Sequence, residues 1–281
     1  MRLRLILIPA LAVTLAACGG QSTHSGDTRV VAAFYPVAYA AEQIGGTAVS
    51  VTNLTPAGSE PHDLELSPKA VREIHDADVV LVLGHGFQPQ VEAAARQSSG
   101  KVIALLDTPG LHRHASGDPH VWLDPERYAL IVREIGRVLH KRSAAAALVT
   151  RLRALEAEYR QGLADCERHQ IVTSHAAFAY LGERYGLQQV SIEGVSPEAE
   201  PTPQQLQHVA SVVRRNHVTT VYFETLVSPK VAKTLARETG TKSAVLDPIE
   251  GLLPKAIQRG ESYFTVMRRN LATLREGLGC R

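Results

Sequence analysis

The sequence predicts an α/β protein of two lobes, each a mainly parallel four-stranded sheet flanked by helices, joined by one long rigid helix. Short apolar segments alternate with helical patterns in both halves of the chain. Residues 79–83 form an unbroken apolar run, which is typical of a parallel strand buried on both faces. Between the halves lies a long stretch of strong helix formers, Ala, Leu, Arg and Glu. These three patterns favour two similar lobes connected by a helix.

The N-terminal segment has the pattern of a removable leader followed by a tether. Arg2 and Arg4 precede a short apolar run, so residues 1–17 are predicted to be a signal peptide. Cys18 follows Leu-Ala-Ala, which resembles a bacterial lipobox and makes Cys18 the expected lipidation site. An ordinary signal peptide with a chance cysteine is the alternative. Residues 18–28, rich in Gly, Ser and Thr, are then expected to be a flexible lipid tether.

Residues 29–142 are predicted to form the N-terminal lobe. The stretch 55–63 is too rich in turn residues for regular structure, so a loop is expected there. Asp124 and Pro125 are suited to the N-cap and first position of a helix. The predicted strands are residues 29–34, 49–54, 79–83 and 102–106, and the predicted helices are 35–43, one starting at Pro68, 90–97 and 125–141.

Residues 143–166 are predicted to be the helix that links the lobes. This stretch has no proline and no glycine before Gly162. At about 1.5 Å per residue, a single helix of this length spans roughly 35 Å, the width of a domain. A kinked pair of helices packed on the first lobe is the alternative.

Residues 167–281 are predicted to form the C-terminal lobe, which repeats the plan of the first. Its loops are marked by proline and glycine, as between 193 and 203. The predicted strands are residues 170–174, 190–192, 219–223 and 243–246, and the predicted helices lie after His175, at 204–216, from Pro229 and at 263–276.

The charge balance argues against nucleic acid as a partner. Lys and Arg number 30 and Asp and Glu number 28, which gives a formal net charge of +2. Loss of Arg2 and Arg4 with the signal peptide leaves a charge of about zero. A nucleic-acid-binding protein normally carries a basic excess, so we expect none bound here.

Two cysteines remain besides the expected lipidation site, Cys166 and Cys280. In an oxidising compartment they could form a disulfide, and closing so long a loop would stabilise the fold by roughly 4 kcal/mol. Two separate buried thiols are the alternative, because spacing along the chain does not show proximity.

Four metal-ligating side chains follow predicted strands. His62 follows the second strand, His120 the fourth, His175 the fifth and Asp247 the eighth. Ligands of parallel sheets bind beyond the carboxyl ends of the strands, so these four are expected at the same end. Two come from each half, which places the expected site between the lobes. Three imidazoles and one carboxylate suit Zn²⁺, so we expect one zinc ion per chain.

Three further polar residues lie near that expected site. Glu224, at the end of the seventh strand, could hydrogen-bond a ligand imidazole, replace Asp247 as the fourth ligand, or act as a general base. His85 lies between two glycines after the third strand and fits a turn better than a ligand position. His112 and His114 fit a solvated surface loop.

Several segments together resemble a known family. They are 60–68 (EPHDLELSP), 118–125 (DPHVWLDP), 173–178 (TSHAAF), 184–187 (RYGL), Phe223-Glu224 and Leu246-Asp247-Pro248. In these segments the chain resembles the metal-binding solute-binding lipoproteins of bacterial ABC importers, of the zinc-uptake (ZnuA-like) type, over essentially the whole mature chain.

The resemblance implies a function and a location. It assigns His62, His120, His175 and Asp247 as metal ligands, and it implies an ABC permease in the inner membrane as partner. Manganese-taking relatives tend to have a carboxylate where this chain has His175, so zinc is expected over manganese. We therefore expect a monomer without enzymatic activity, periplasmic or at the cell surface and anchored through Cys18.

Three other functions are alternatives to zinc uptake. Manganese or iron uptake by the same fold is the nearest alternative. A zinc hydrolase with Glu224 as base would be expected to carry a His-Glu-x-x-His or Gly-x-Ser-x-Gly motif, and the chain has neither. An adhesion lipoprotein on the same fold is neither favoured nor opposed by a near-neutral chain.

Overall fold

A computed structural model describes residues 27–281 of the protein. The predicted signal peptide, Cys18 and almost all of the predicted tether lie outside the described residues. Within 27–281, no helix combines the length and the apolar character needed to cross a membrane.

The first half of the described chain forms a parallel sheet of four strands. Their order is β2-β1-β3-β4, and every neighbouring pair is parallel. The strands are β1 Thr28–Ala32, β2 Val49–Asn53, β3 Val79–Val82 and β4 Lys101–Ala104, and the helices are α1 Tyr35–Gly45, α2 Pro68–Asp76, α3 Pro89–Ala95 and α4 Pro125–Val138. All four strands predicted for this half are confirmed, with ends that differ by one or two residues.

Helix α5, Arg142–Gly162, joins the two halves over 21 residues. It packs against α4 where Gly136 faces Ala145, because a Cβ at Gly136 would lie 2.3 Å from the Ala145 Cβ. The predicted helix was too long at its C-terminal end. The chain leaves the helix after Gly162 and turns so that Arg168 N donates to Leu278 O at 3.1 Å.

The second half repeats the first sheet in order and direction. Its strand order is β6-β5-β7-β8, again wholly parallel. The strands are β5 Gln170–Thr173, β6 Gln188–Ser191, β7 Thr220–Phe223 and β8 Lys242–Val245, and the helices are α6 Ala179–Tyr185, α7 Pro203–Arg215, α8 Lys230–Thr239, α9 Pro254–Gln258 and α10 Tyr263–Leu278. Helix α9 has no counterpart in the predicted elements. The predicted fold class, two four-stranded α/β lobes joined by a long helix, is confirmed.

A shared core fixes the two lobes against each other. Buried apolar residues of both halves form one contiguous cluster, and a smaller cluster lies within the C-terminal half. Tyr263 of α10 donates from its hydroxyl to Trp122 O at 2.6 Å, and both side chains are buried. Arg184 binds Asp124, the N-cap of α4, through two hydrogen bonds of 2.8 Å. These contacts surround His120, so they hold the region of the predicted site.

Cys166 and Cys280 are joined by a disulfide that closes a sequence separation of 114. The bridge ties the segment after α5 to the end of α10. Of the two arrangements considered for these cysteines, the structure has the bonded one.

Candidate metal centre

His120 lies in the stiff segment between β4 and α4. Its backbone N–H donates to Asp118 Oδ1 at 2.7 Å, and its Nδ1 lies 2.6 Å from the same oxygen. Asp118 Oδ2 accepts from the Ala179 N–H at 2.9 Å, which ties it to the other lobe. A carboxylate at Nδ1 fixes the orientation of the imidazole, so the Nε2 of His120 is turned towards the centre of the site.

His175 follows β5 and is held in the same way. Its Nδ1 lies 2.6 Å from Glu224 Oε1, an oxygen that also accepts from Ser174 Oγ at 3.1 Å. Of the three roles considered for Glu224, the structure shows the hydrogen bond to a ligand imidazole. The Nε2 of His175 lies 3.3 Å from His120 Nε2.

His62 comes from the loop after β2 and occupies the solvent side of the site. Its side chain is 9% exposed, whereas those of His120 and His175 are at most 1% exposed. Its backbone N–H donates to Glu60 Oε2 at 2.9 Å. Its ring packs edge-on against Phe87, with the two ring centroids 4.7 Å apart. A cation would therefore reach the site past His62.

Glu250, from the loop after β8, supplies the carboxylate of the group. Its side chain is fully buried, and its Oε1 lies 2.6 Å from His120 Nε2, 3.0 Å from His62 Nε2 and 3.6 Å from His175 Nε2. Within residues 27–281, Glu250 Oε2 is buried without a hydrogen-bond partner. Three imidazoles thus converge on one carboxylate oxygen, and the second oxygen of that carboxylate has no hydrogen-bond partner among residues 27–281.

The spacing of these atoms fits a four-coordinate cation. One ligand atom from each of His62, His120, His175 and Glu250 lies within 4.8 Å of the others. Ligand bonds of 2.0–2.1 Å in a tetrahedron place neighbouring ligand atoms about 3.4 Å apart. The separations of His175 Nε2 from His120 Nε2 and from Glu250 Oε1, 3.3 and 3.6 Å, match that value. The two shorter contacts of Glu250 need to open by less than about 1 Å.

Asp247, the predicted fourth ligand, does not lie in this group. It is buried directly after β8, but its Oδ1 accepts from the Ile249 N–H at 2.8 Å and its Oδ2 accepts from Thr225 Oγ1 at 3.0 Å. One carboxylate oxygen is therefore bound within the loop after β8 and the other by the segment that follows β7. Glu250, three residues further along, occupies the fourth position instead.

The electrostatics of the site favour positive charge at its centre. Burial alone would raise the pKa of Glu250, but hydrogen bonds from three imidazoles hold it well below its usual range. Burial would likewise lower the pKa of His175, but the hydrogen bonds of Glu224 and Glu250 raise it to about 10. The pKa of His120 is also raised, against burial, by Asp118 and Glu250. Without a metal, protons supply the positive charge that the carboxylates require.

The remaining histidines considered in the sequence lie outside the group. His85 Nε2 lies 2.7 Å from Asp107 Oδ1, and its Nδ1 lies 2.9 Å from a guanidinium nitrogen of Arg113. His114 Nδ1 lies 2.8 Å from Ser116 Oγ, and His112 is exposed. These side chains make surface contacts, as expected for turn and loop residues.

Glu250 is the member of this four-residue group that was not predicted from the sequence. A signal was present, since Asp247-Pro248-Ile249-Glu250-Gly251 places a second acid in the same loop at the same strand end. Asp247 is the acid closer to the strand, which is why it was predicted. The loop direction that decides between the two acids depends on backbone contacts with distant residues.

Two α/β lobes that enclose three imidazoles and one carboxylate define a two-lobed metal-binding protein. The chain belongs to the family described as zinc-uptake complex component A, periplasmic, which matches residues 30–277.

Relatives of known description share most of this chain. It is 32% identical to the high-affinity zinc uptake system protein ZnuA of Bacillus subtilis, over 98% of this chain and 97% of that protein. It is 34% identical to the zinc-binding lipoprotein AdcA of Streptococcus pneumoniae over 98% of this chain, but over only 60% of that protein. The chain therefore spans less than two thirds of the length of the AdcA relatives that it matches.

A solved structure confirms the architecture. The Zn(II)-bound ZnuA-like domain of Streptococcus pneumoniae AdcA superposes with a TM-score of 0.78 at 36% identity, covering 90% of this chain and 99% of that domain. That protein is described as zinc-bound, and the family resemblance drawn from sequence is confirmed.

Proposed function

We propose that the protein captures Zn²⁺ between its lobes and delivers it to an ABC permease. The observation that best supports this is the convergence of three imidazole nitrogens and one carboxylate oxygen within 4.8 Å of one another. These four atoms can replace the water shell of a borderline cation in a buried space. The metal is cargo, bound and then released.

Zinc is preferred over manganese in this proposal because of the ligand types. Three neutral nitrogens and one carboxylate make a softer site than the oxygen-rich sites that suit Mn²⁺. Relatives that share most of this chain carry zinc in their names, which supports the same choice. The proposed ligands are His62, His120, His175 and Glu250, with Glu250 in the place first given to Asp247.

The proposal places the protein outside the cytoplasm, as a monomer anchored by a lipid on Cys18. The leader pattern and the Leu-Ala-Ala-Cys sequence support this, and a relative is described as a lipoprotein. A lipid tether would keep the loaded protein at the membrane surface, within reach of a permease in the same membrane. The permease partner is inferred from the family.

The contacts of Glu224 support binding and release over hydrolysis. A general base needs an oxygen within hydrogen-bond reach of a water molecule beside the metal. Glu224 meets His175 at Nδ1, the ring nitrogen opposite the Nε2 that faces the other imidazoles: its Oε1 accepts from His175 Nδ1 and Ser174 Oγ, and its Oε2 is buried without a partner among residues 27–281. The carboxylate is therefore placed to orient a ligand.

The test is calorimetric titration of the metal-stripped mature protein with zinc and with manganese. Wild type is compared with His175→Ala and Glu250→Ala, and His85→Ala serves as a control because His85 binds Asp107 outside the site. In wild type we expect one tight zinc site and far weaker manganese binding. His175→Ala and Glu250→Ala should lose tight zinc binding, and the His85→Ala control should keep it. Absence of a tight site in wild type, or preference for manganese, would refute the proposal.

A further inference from the structure

Ile249, the residue before Glu250, has an unusual backbone conformation. Its φ is +59°, in the left-handed region that β-branched residues rarely enter, because Cβ then crowds the following carbonyl oxygen. The Ile249 side chain is fully buried. Such strain persists only where surrounding contacts over-determine the conformation.

Those contacts are hydrogen bonds made by Asp247, Pro248 and Ile249 itself. Asn270 of α10 accepts from the Asp247 N–H at 3.0 Å and donates to the Asp247 carbonyl at 2.6 Å. Trp122 Nε1 donates to the Pro248 carbonyl at 2.7 Å. The Ile249 N–H itself donates to Asp247 Oδ1 at 2.8 Å. The backbone of this loop is thus held from both lobes.

The turn at Ile249 determines where the next side chain goes. Glu250 reaches the three imidazoles from this turn and is fully buried among them. Rotation of Ile249 to an ordinary negative φ would redirect the following peptide and move Glu250 away from the imidazoles. The contact that fixes the Ile249 amide is therefore coupled to the carboxylate of the site.

We propose that Asp247 is a positioning residue for metal capture: by accepting the Ile249 N–H it holds the left-handed turn that places Glu250 among the three histidines. The inference rests on the proposed zinc-binding function and deepens it. It assigns to Asp247 an indirect effect on affinity, through Glu250, with no bond to the metal.

The chain offers variants that separate the two carboxylate oxygens of Asp247. Asp247→Ala removes both contacts, whereas Asp247→Asn keeps an oxygen that can accept from the Ile249 N–H. Thr225→Val removes only the hydroxyl that donates to Oδ2. Glu250→Gln removes the charge of the carboxylate that the turn places.

Zinc affinity is measured by competition with a chelator for these variants and for the double variant Asp247→Ala/Glu250→Gln. We expect Asp247→Ala to weaken binding by about 10- to 100-fold, as loss of a residue that orients a ligand does. Asp247→Asn and Thr225→Val should bind zinc as wild type does. A wild-type affinity in Asp247→Ala, or an equal loss in Asp247→Asn, would overturn the proposal.

The double variant tests the route of the effect. If Asp247 acts only through Glu250, adding Asp247→Ala to Glu250→Gln should cause no further loss of affinity. If Asp247→Ala instead weakened the fold in general, it would lower zinc affinity by the same factor in wild type and in Glu250→Gln. That result would overturn the proposal. Cobalt absorption spectra of the single variants should show altered coordination in Asp247→Ala and an unchanged spectrum in Thr225→Val.

Folding and function are separated by two controls. Circular dichroism and thermal melts establish that each variant folds, and Asp247→Leu, similar in shape, replaces the alanine variant if that one does not fold. Absence of a tight zinc site in wild type would refute the proposed function itself. Tight binding in wild type with no effect of Asp247→Ala or Asp247→Leu would overturn this inference alone.

Discussion

Glu250 Oε1 lies 2.6 Å from His120 Nε2, although 130 residues separate the two in the chain. Glu250 comes from the C-terminal lobe and His120 from the segment that ends the N-terminal lobe. Neither lobe holds the full set of ligand atoms. The site therefore depends on the packing of the lobes against each other, which the shared core and the Asp124–Arg184 ion pair provide.

Replacement of Glu250 by Gln should weaken zinc binding by at least about 100-fold, more than loss of a residue that only orients a ligand. The change removes the single negative charge that touches all three imidazoles. Competition with a chelator gives the affinity. Glu193→Gln is the control, since Glu193 also has a buried oxygen without a partner among residues 27–281 but lies outside the four-residue group. Equal losses in both variants would contradict the assignment.

Removal of the carboxylates behind the imidazoles should weaken binding less than removal of a ligand. Asp118→Ala and Glu224→Ala each free one ring Nδ1 and are expected to cost about 10- to 100-fold in zinc affinity. Asp107→Ala, which breaks the comparable pair with His85 on the surface, should have no effect. Unchanged affinity in Asp118→Ala and Glu224→Ala would show that the tautomers are fixed by other contacts.

Zinc binding should release protons and strengthen as the pH rises. The pKa of His175 in the metal-free protein is raised to about 10, so this imidazole carries a proton at pH 7 that zinc displaces. For one proton, affinity should fall about tenfold for each pH unit between pH 9 and 7. Titrations in buffers of different ionisation enthalpy count the protons, and His175→Ala should release fewer. Affinity independent of pH over this range would contradict the prediction.

The same pKa shift predicts how the stability of the metal-free protein depends on pH. The folded value is raised above the ordinary 6.5, so the stabilisation is complete below pH 6.5 and is lost as the pH rises towards 10. Thermal melts of the stripped protein between pH 6.5 and 10 measure this loss. Glu224→Gln should flatten the trend, because the hydrogen bond to Glu224 is the strongest cause that raises this pKa. An equally steep trend in that variant would contradict the assignment.

Loss of the disulfide should lower stability without changing the site. The Cys166–Cys280 bridge closes a separation of 114 residues, and a loop of that length corresponds to roughly 4–5 kcal/mol by chain entropy. The double variant Cys166→Ser/Cys280→Ser should lose stability of that order in denaturant titrations while its zinc affinity stays at the wild-type value. Reduced wild type provides the matched comparison. Equal stability of the oxidised and reduced proteins would contradict the prediction.

Because Ile249 has a left-handed backbone, glycine at this position should give a more stable protein than alanine, the reverse of the usual order of stability. Both substitutions remove most of the buried side chain, but only glycine adopts a φ of +59° without strain. Ile249→Gly is therefore expected to be more stable than Ile249→Ala by about 1 kcal/mol in denaturant unfolding. At Ile135, buried within α4, the order should be the normal one, with alanine more stable. Alanine more stable than glycine at both positions would rule out strain at Ile249.

The local pattern of the sequence was sufficient to predict most strands and helices of this architecture. Alternating apolar and helical segments give all eight strands to within two residues. The signal is clearest in the inner strands β1, β3, β5 and β7, because their largely buried residues leave an apolar run in the sequence. The rule that ligands lie beyond the carboxyl ends of parallel strands also brought His62, His120 and His175 together correctly. Imidazoles at three strand ends are a local signal that needs no knowledge of how the lobes pack.

Tertiary structure decided which acid joins the three imidazoles and whether the two cysteines pair. Asp247 and Glu250 share one loop, and the choice between them follows from hydrogen bonds of Asn270, Trp122 and the Asp247 side chain that force Ile249 into a left-handed turn. These partners are distant in sequence or act against the conformational preference of isoleucine, so no local pattern reveals them. Sequence by itself determined the eight strands, the helices of the described residues other than α9, and which imidazoles follow the strand ends. Only the packed lobes fix the direction of a loop, because long-range contacts there outweigh local backbone preference.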